Sequence, residues 1–273
     1  MMQSEEQRKR QQELDRKLKE NLSRIRKKLF VLSNKGGVGK SFVATSLALI
    51  AAKKGLKTGI LDADIHGPSI AHMLGFAGMP LGISEGAIEP ILARENLVAV
   101  STASLLKSQD DSVIWRGPLK MGLLKQFLAE VNWRNLDLLV VDSPPGTGDE
   151  PLSIAQLIPE MSGAIVVTSP QDIALLDARK CISFLNQLKV PTLGILENLS
   201  GMVCPHCGKT IDVFKRGGGK QAALDLGVPF LGAIPIDPEI VRASDDGKPY
   251  VLEHPESEAA KVLGAIIEEI GKL

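Results

Sequence analysis

The stretch Ser33-Asn34-Lys35-Gly36-Gly37-Val38-Gly39-Lys40-Ser41 constrains the fold more than any other part of the chain. It follows an apolar, β-branched run at 29–33 and opens a helix-forming segment at 41–53. Glycines let a backbone curl until successive N–H groups point inward at phosphate oxygens, and the helix that follows adds the positive end of its dipole. Strand, Gly-Lys-Ser loop and helix in this order predict a phosphate-binding loop at the carboxyl edge of a parallel sheet. Gly36, Gly37, Val38 and Gly39 supply the cradle, with Phe42 closing the nucleotide-binding stretch. Lys40 is placed to reach the β and γ phosphates of a nucleotide, and the Ser41 hydroxyl to coordinate Mg²⁺. The general pattern begins with glycine where this chain has Asn34. Asparagine tolerates left-handed backbone better than most residues, so the loop is expected intact though altered. The bland alternative is a glycine-rich turn without a ligand.

The rest of the chain repeats strand and crossover. Strand-length apolar runs at 29–33, 58–62, 97–101, 136–142, 164–168, 192–197 and 230–234 alternate with helix-length stretches such as 41–53, 119–131, 173–187 and 220–226. This predicts an α/β fold, a doubly wound and mostly parallel sheet flanked by helices. Aromatic residues make up 4% of the chain against 44% hydrophobic, so the core is aliphatic, as suits a sheet buried on both faces. The length of 273 residues fits one globular unit, expected at 29–273. Before it, residues 1–28 hold ten basic and five acidic side chains, a net +5. Leu14, Leu18, Leu22 and Ile25 keep helical spacing there, which predicts a basic helical extension. It reads either as a solvated helix or tail, or as a docking arm for an acidic partner or nucleic acid.

Two more strand ends carry carboxylates. Asp62 and Asp64 fall on one side if extended backbone continues through Asp62-Ala63-Asp64, and Asp142 ends the run 136–142 where an aspartate would hold Mg²⁺. A helix cap is the ordinary alternative for a strand-end Asp such as Asp62. The segment Asp142-Ser143-Pro144-Pro145-Gly146-Thr147-Gly148-Asp149, stiff at its prolines and free at its glycines, suits a switch with two arrangements, or a plain proline turn.

Three cysteines in a chain this long exclude a disulfide framework. Cys204-Pro205-His206-Cys207-Gly208 places two thiols at the spacing that serves one metal centre, in zinc knuckles and iron–sulfur sites alike. A redox disulfide is a further reading, and Cys181, in an amphipathic helix, reads as a buried small hydrophobe. No second pair exists, so a four-thiolate site needs two chains. Lys+Arg and Asp+Glu both number 32, which removes the global cationic field of a nucleic-acid coat and makes nucleic acid an unexpected partner. No apolar run approaches the roughly 18 residues that span a bilayer. The end at 257–273 carries Val262, Leu263, Ile266, Ile267 and Ile270 on one stripe but includes Glu268 and Glu269, which suits docking on the sheet and not on a membrane. The expectation is a cytoplasmic protein without membrane contact.

With Lys35 inside the loop, the sequence resembles the deviant Walker A signature KGGVGK[ST] of the ATPases that include septum-site and partition proteins and nitrogenase iron protein. The ordered set NKGGVGKS, DADIHGPS, VIWRGPLKMGLLKQ, DSPPGTGD, ENLSGMVCPHCG and VPFLGAIPIDPEI is similar to the Mrp/ApbC family of iron–sulfur cluster carrier ATPases, from about Lys28 to the C-terminus. The resemblance implies a homodimer closed over two ATP molecules, with Lys35 crossing to the partner's nucleotide; an ordinary surface lysine is the alternative. It implies that Asp64 positions the attacking water, Asp62 supports the metal shell and Asp142 begins the second switch. It further implies that Asn198, Pro235 and Asp237 contact adenine. Cys204 and Cys207 of both chains would then hold a labile [4Fe–4S] cluster, passed to apo-proteins under ATP control. Two other functions stay open on these residues: a positioning ATPase on DNA or membrane, and a zinc-stapled dimeric ATPase. Asn34 and Ser143, where Leu is common, depart from the family pattern, and Trp115-Arg116-Gly117-Pro118 has no chemistry readable from its residues beyond a helix start at Pro118.

Overall fold

The computed structural model describes residues 2–84, 86–105, 117–204 and 206–272. Its strands in chain order are β1 (Ile25–Leu32), β2 (Thr58–Asp62), β3 (Gly82–Ser84), β4 (Ala87–Glu89), β5 (Ile91–Arg94), β6 (Leu97–Ser101), β7 (Leu136–Asp142), β8 (Gly163–Thr168), β9 (Thr192–Glu197), β10 (Met202–Val203), β11 (Thr210–Ile211) and β12 (Phe230–Ala233). Its helices are α1 (Met2–Ser23), α2 (Lys40–Lys53), α3 (Ile70–Met73), α4 (Gly117–Glu130), α5 (Asp149–Leu157), α6 (Asp172–Gln187), α7 (Gly218–Leu226), α8 (Pro238–Asp245), α9 (Tyr250–Glu253) and α10 (Glu258–Lys272). Eight strands form one sheet in the order β12-β9-β8-β1-β7-β2-β6-β5. Every pairing is parallel except β5 with β6 at the edge. This is the doubly wound sheet that the alternation of runs predicts.

Strand pleating sorts the core into two layers. Leu29 and Val31 of β1 face one layer with Val43 and Leu47 of α2 and Leu263, Ile266 and Ile267 of α10. Phe30 and Leu32 face the other, with Leu124 and Phe127 of α4, Ile154 of α5 and Ile182 and Leu185 of α6. Both faces are covered, which is why β2 and β8 are buried at every residue and read as continuous apolar runs. The C-terminal stripe docks as expected, with Leu263, Ile266, Ile267 and Ile270 buried.

The N-terminal segment departs from its expectation in one respect. Ile25 does not extend the helical stripe; it begins β1 opposite Leu136, so the first strand starts four residues early. Leu18 and Leu22 of α1 are buried against the α4 layer. The Asn21 side-chain amide donates to the carbonyls of Leu128 (3.2 Å), Ala129 (3.0 Å) and Val131 (2.8 Å), which closes the C-terminal end of α4. Asp15 pairs with Lys125 of α4. The apolar stripe of the basic segment is therefore covered within the chain. Among the described residues, no helix is long and apolar enough to cross a membrane.

Candidate nucleotide site and cysteine hairpin

Parallel register brings the two carboxylates together. Asp142 lies opposite Val31 of β1 on one side and opposite Asp62 of β2 on the other, all at carboxyl ends. Between β1 and α2 the loop turns on Gly37 (φ 78°) and Gly39 (φ 81°), left-handed positions that only glycine takes without strain. Gly39 is also held tight: a Cβ there would lie 2.1 Å from the side-chain nitrogen of Asn198. That nitrogen donates to the Val38 carbonyl at 2.9 Å, while the Asn198 backbone N–H donates to Thr168 at 2.7 Å. Asn198 thus ties the end of β9 to the phosphate loop.

Lys40 turns inward, and its Nζ donates to Asp142 Oδ1 at 2.6 Å with both side chains buried. The other carboxylate oxygen, Asp142 Oδ2, is buried with no hydrogen-bond partner among the described residues. Asp62 is fully buried and accepts from Ser101 Oγ (3.0 Å) and from the Asp64 and Ile70 N–H groups (3.2 Å each). Burial pushes the Asp62 carboxyl up to about 8, reinforced by the nearby charge of Asp142 and opposed by the Ile70 N–H, Lys40 and Ser101. Burial raises Asp142 as well, against the pull of Lys40 and Ser41. Two buried acids sharing one lysine, with an unpartnered oxygen and a neighbouring hydroxyl, form an all-oxygen donor set that fits Mg²⁺.

Asp64 reaches this region by a different route from the one strand alternation implies. Extended backbone ends at Asp62; Asp64 is half-buried and its Oδ1 accepts from the Gly67 N–H at 3.2 Å, so it sits in a turn. The ordinary alternative for Asp62 is seen in part, since its Oδ2 accepts from the Ile70 N–H that opens α3. Lys35 is exposed and makes no ion pair among the described residues. Asn34 does not need the left-handed backbone that its sequence reading invokes, because its φ is not positive. Its side chain is used instead: Nδ2 donates to Asp177 Oδ1 of α6 at 2.7 Å, and Oδ1 accepts from Thr147 Oγ1 at 3.2 Å. The segment 142–149 is further tied to β1 by the Ser143 N–H on the Val31 carbonyl (3.1 Å) and to the start of the phosphate loop by the Gly146 N–H on the Ser33 carbonyl (2.8 Å).

Pro235 and Asp237 line a cavity of about 480 Å³ with Met202, Ile236 and Tyr250, and its walls do not include Asn198. Asp237 caps α8 through the Glu239 N–H at 2.9 Å and accepts from the Tyr250 hydroxyl. The cysteine pair sits at the tip of the β10–β11 hairpin, closed by Cys204 N–H on Lys209 and Gly208 N–H on Cys204, both 2.9 Å. The backbone N–H groups of Cys207 and His206 point at the Cys204 sulfur and hold its pKa below the ordinary thiol value. Cys204 is half-buried and Cys207 exposed. Among the described residues no group of three potential metal ligands occurs, so the hairpin offers a pair of thiols. Cys181 is buried and burial pushes its thiol up to about 12.

One residue was not singled out from sequence. Glu197, fully buried at the end of β9, accepts from Ser200 Oγ and from the N–H groups of Gly217 and Gly219. It closes the base of the excursion that carries the cysteines and accounts for the glycine run: a Cβ at Gly219 would lie 2.9 Å from the Glu197 Cβ. An acid ending an apolar strand, with glycines about a hairpin's length downstream, was the available signal. Trp115 and Arg116 lie outside the described residues. Gly117 begins α4, one residue before the expected start, and Lys120 in the same segment is buried, paired with Glu150 at 2.7 Å and in contact with His66 of the segment that follows Asp64.

Sheet order, phosphate loop and paired strand-end acids define a P-loop NTPase. The family model described as ParA, "NUBPL iron-transfer P-loop NTPase", matches residues 24–271. An iron-sulfur cluster carrier protein of Methanocaldococcus jannaschii is 46% identical over 258 residues, 94% of this chain and 89% of that protein. The cytosolic Fe-S cluster assembly factor NUBP2 of Bos taurus is 41% identical over 254 residues, 92% of this chain and 94% of that protein. Among solved structures, a nucleotide-binding protein of Archaeoglobus fulgidus in complex with ADP is 38% identical, with a TM-score of 0.77 over 86% of this chain and 92% of that one. The Pyrococcus furiosus cell division ATPase MinD shares the fold, at 22% identity and a TM-score of 0.62 over 90% of this chain and 99% of that one. The chain belongs to the iron-transfer P-loop NTPases, as its motifs imply.

Proposed function

We propose that this protein is an ATP-hydrolysing carrier that assembles an iron–sulfur cluster and transfers it to apo-proteins. It works in the cytoplasm as a homodimer, with a [4Fe–4S] cluster as cargo between two hairpins. The observation that carries this reading is an asymmetry: one chain brings Lys40, Asp62 and Asp142 together at its phosphate loop, whereas its cysteine hairpin offers half of a four-thiolate site. Two chains related by a twofold axis supply the other half.

At the phosphate site, the N–H groups of Gly36 to Ser41 bind the phosphates, with Phe42 following. Entering phosphates compete with Asp142 for the Lys40 ammonium, which then stabilises charge on the transferring phosphoryl group. Ser41, Asp142 and Asp62 hold Mg²⁺, which when bound neutralises phosphate charge. Asp64 orients the attacking water, Lys35 reaches the partner's nucleotide, and Asn198, Pro235 and Asp237 receive adenine. The relatives named as iron–sulfur carriers support the cargo assignment. A positioning role is disfavoured by the buried stripe of α10 and by the balanced charge.

Anaerobic purification followed by iron, sulfide and zinc analysis tests the reading on wild type and on the Cys204→Ala/Cys207→Ala double variant. The expected result is about four iron and four sulfide per dimer, with visible absorption that disappears in the variant. Colourless protein with about one zinc per dimer would make the hairpins a structural staple and overturn the carrier reading.

A further inference from the structure

Asn34 stands at a position where the general phosphate-loop pattern has glycine, and a glycine could make neither of its side-chain bonds. One bond reaches Thr147 of the second switch (3.2 Å), the other Asp177 on α6 (2.7 Å). Asp177 is also held by Lys180 at 3.2 Å. The first turn of α6 in turn abuts the base of the cysteine excursion. At Gly218, which opens α7, a Cβ would meet the Pro170 carbonyl oxygen at 2.7 Å and the Leu175 Cδ1 at 2.8 Å, so helix and glycine run are in close contact there. The Arg179–Asp225 pair (2.6 Å) fastens α6 to α7, and Lys215 pairs with Asp172 (2.6 Å). Gly217 and Gly219 donate to Glu197, which also binds Ser200 on the outgoing limb. An unbroken series of contacts thus runs from the second switch through Asn34 and α6 to both ends of the segment that carries Cys204 and Cys207.

We infer that Asn34 is a positioning residue that joins the second switch to α6, so that nucleotide in the phosphate loop changes the exposure of the cysteine hairpin. Thr147 moves with the switch, and the amide of Asn34 transmits that movement to a rigid helix. A chain of contacts is only a route; coupling exists if both ends bias the same moving element. The inference deepens the proposed carrier function by naming how ATP reaches the cargo site, and its test requires no metal at the cysteines.

The test uses full-length protein freed of iron and zinc and follows alkylation of Cys204 and Cys207 by iodoacetamide, resolved by peptide mass, with and without saturating Mg·ATP. Wild type is expected to change its alkylation rate at least about fivefold on adding nucleotide, the lower end of ordinary allosteric coupling. In Asn34→Gly, and independently in Asp177→Ala, the change is expected to fall below about twofold, and combining the two is expected to add nothing further. A fluorescent ATP analogue verifies saturation in each variant. A role limited to stability would lower the melting temperature and leave the nucleotide response intact. A full response in both variants, or none in wild type, overturns the inference. Failure of the carrier reading is seen separately, as zinc or no metal in the elemental analysis, because alkylation is read on thiols alone.

Discussion

The phosphate loop and the cysteine hairpin lie along the same carboxyl edge of the fold yet are built by opposite means. Around the loop, three neighbouring parallel strands and a buried helix fix Lys40, Asp62 and Asp142, and the Lys40–Asp142 pair and the bonds to Asp62 form within one chain. The hairpin consists of two-residue strands with an exposed Cys207 and exposed apolar neighbours Val203, Ile211, Val213 and Phe214. A site built from the sheet is fully specified by folding. A site on an excursion is left to be finished by what docks against it.

The sharpest way to break this contrast is to exchange damage between the regions. Lys40→Met removes the ammonium that serves both Asp142 and the phosphates, so ATP hydrolysis is expected to fall at least about 100-fold. Iron loaded at the hairpin in the absence of nucleotide should remain within about twofold of wild type, because Lys40 bonds Asp142 and touches no part of the hairpin, and the coupling inferred above acts only when nucleotide is bound. Iron content that collapses together with hydrolysis would show that the hairpin is not independently formed. Phosphate release and iron analysis on the same preparation decide it.

A second test sharpens the contrast through thiol chemistry. The N–H groups of Cys207 and His206 lower the Cys204 pKa, whereas burial pushes Cys181 up to about 12. Thiolates, not thiols, are alkylated, so in metal-free protein Cys204 should react at least about tenfold faster than Cys181 at neutral pH. The sign follows from the two shifts. Raising the pH increases the Cys204 rate until its thiolate is formed, earlier than for an ordinary thiol, and leaves Cys181 inert until the chain unfolds. Equal rates would place Cys181 outside the core.

Much of this architecture is legible in the sequence because parallel strands buried on both faces leave long aliphatic runs, as at 136–142 and 192–197. The early start of β1 is not, because Lys27 and Lys28 interrupt the run. Both lysines are used as caps, Lys27 on the carbonyls of Ile270 and Gly271 and Lys28 on that of Leu22, partners that only the folded chain brings near. Strands β3 and β4 form a separate two-stranded sheet and β5 lies at the edge of the main one, and all three are too short for periodicity to register. The candidate phosphate residues could be chosen from motif order, whereas Glu197 and the Asn34–Asp177 contact depend on pairs separated by 22 and 143 positions. Local spacing carries no information about such pairs.

The smallest expected effect concerns what the buried acids cost. With its carboxyl pushed up to about 8 by burial and by Asp142, Asp62 retains a proton in the folded chain that the unfolded chain releases near the ordinary aspartate value of 3.8. Between those values the folded state binds more protons, so stability falls as pH rises from about 4 to about 8, by at most about 1.4 kcal/mol per pH unit for one group. For a chain of this size each kcal/mol moves the melting temperature by about 2–4 °C. Asp62→Asn removes the titration while keeping an oxygen for Ser101 and Ile70, and should therefore flatten the decline between pH 6 and pH 8 by several degrees. The hairpin holds no buried acid, and Cys204→Ala should leave the slope unchanged. If Asp62→Asn declines as steeply as wild type in metal-free, nucleotide-free melts, the electrostatic cost lies outside the phosphate end of the sheet.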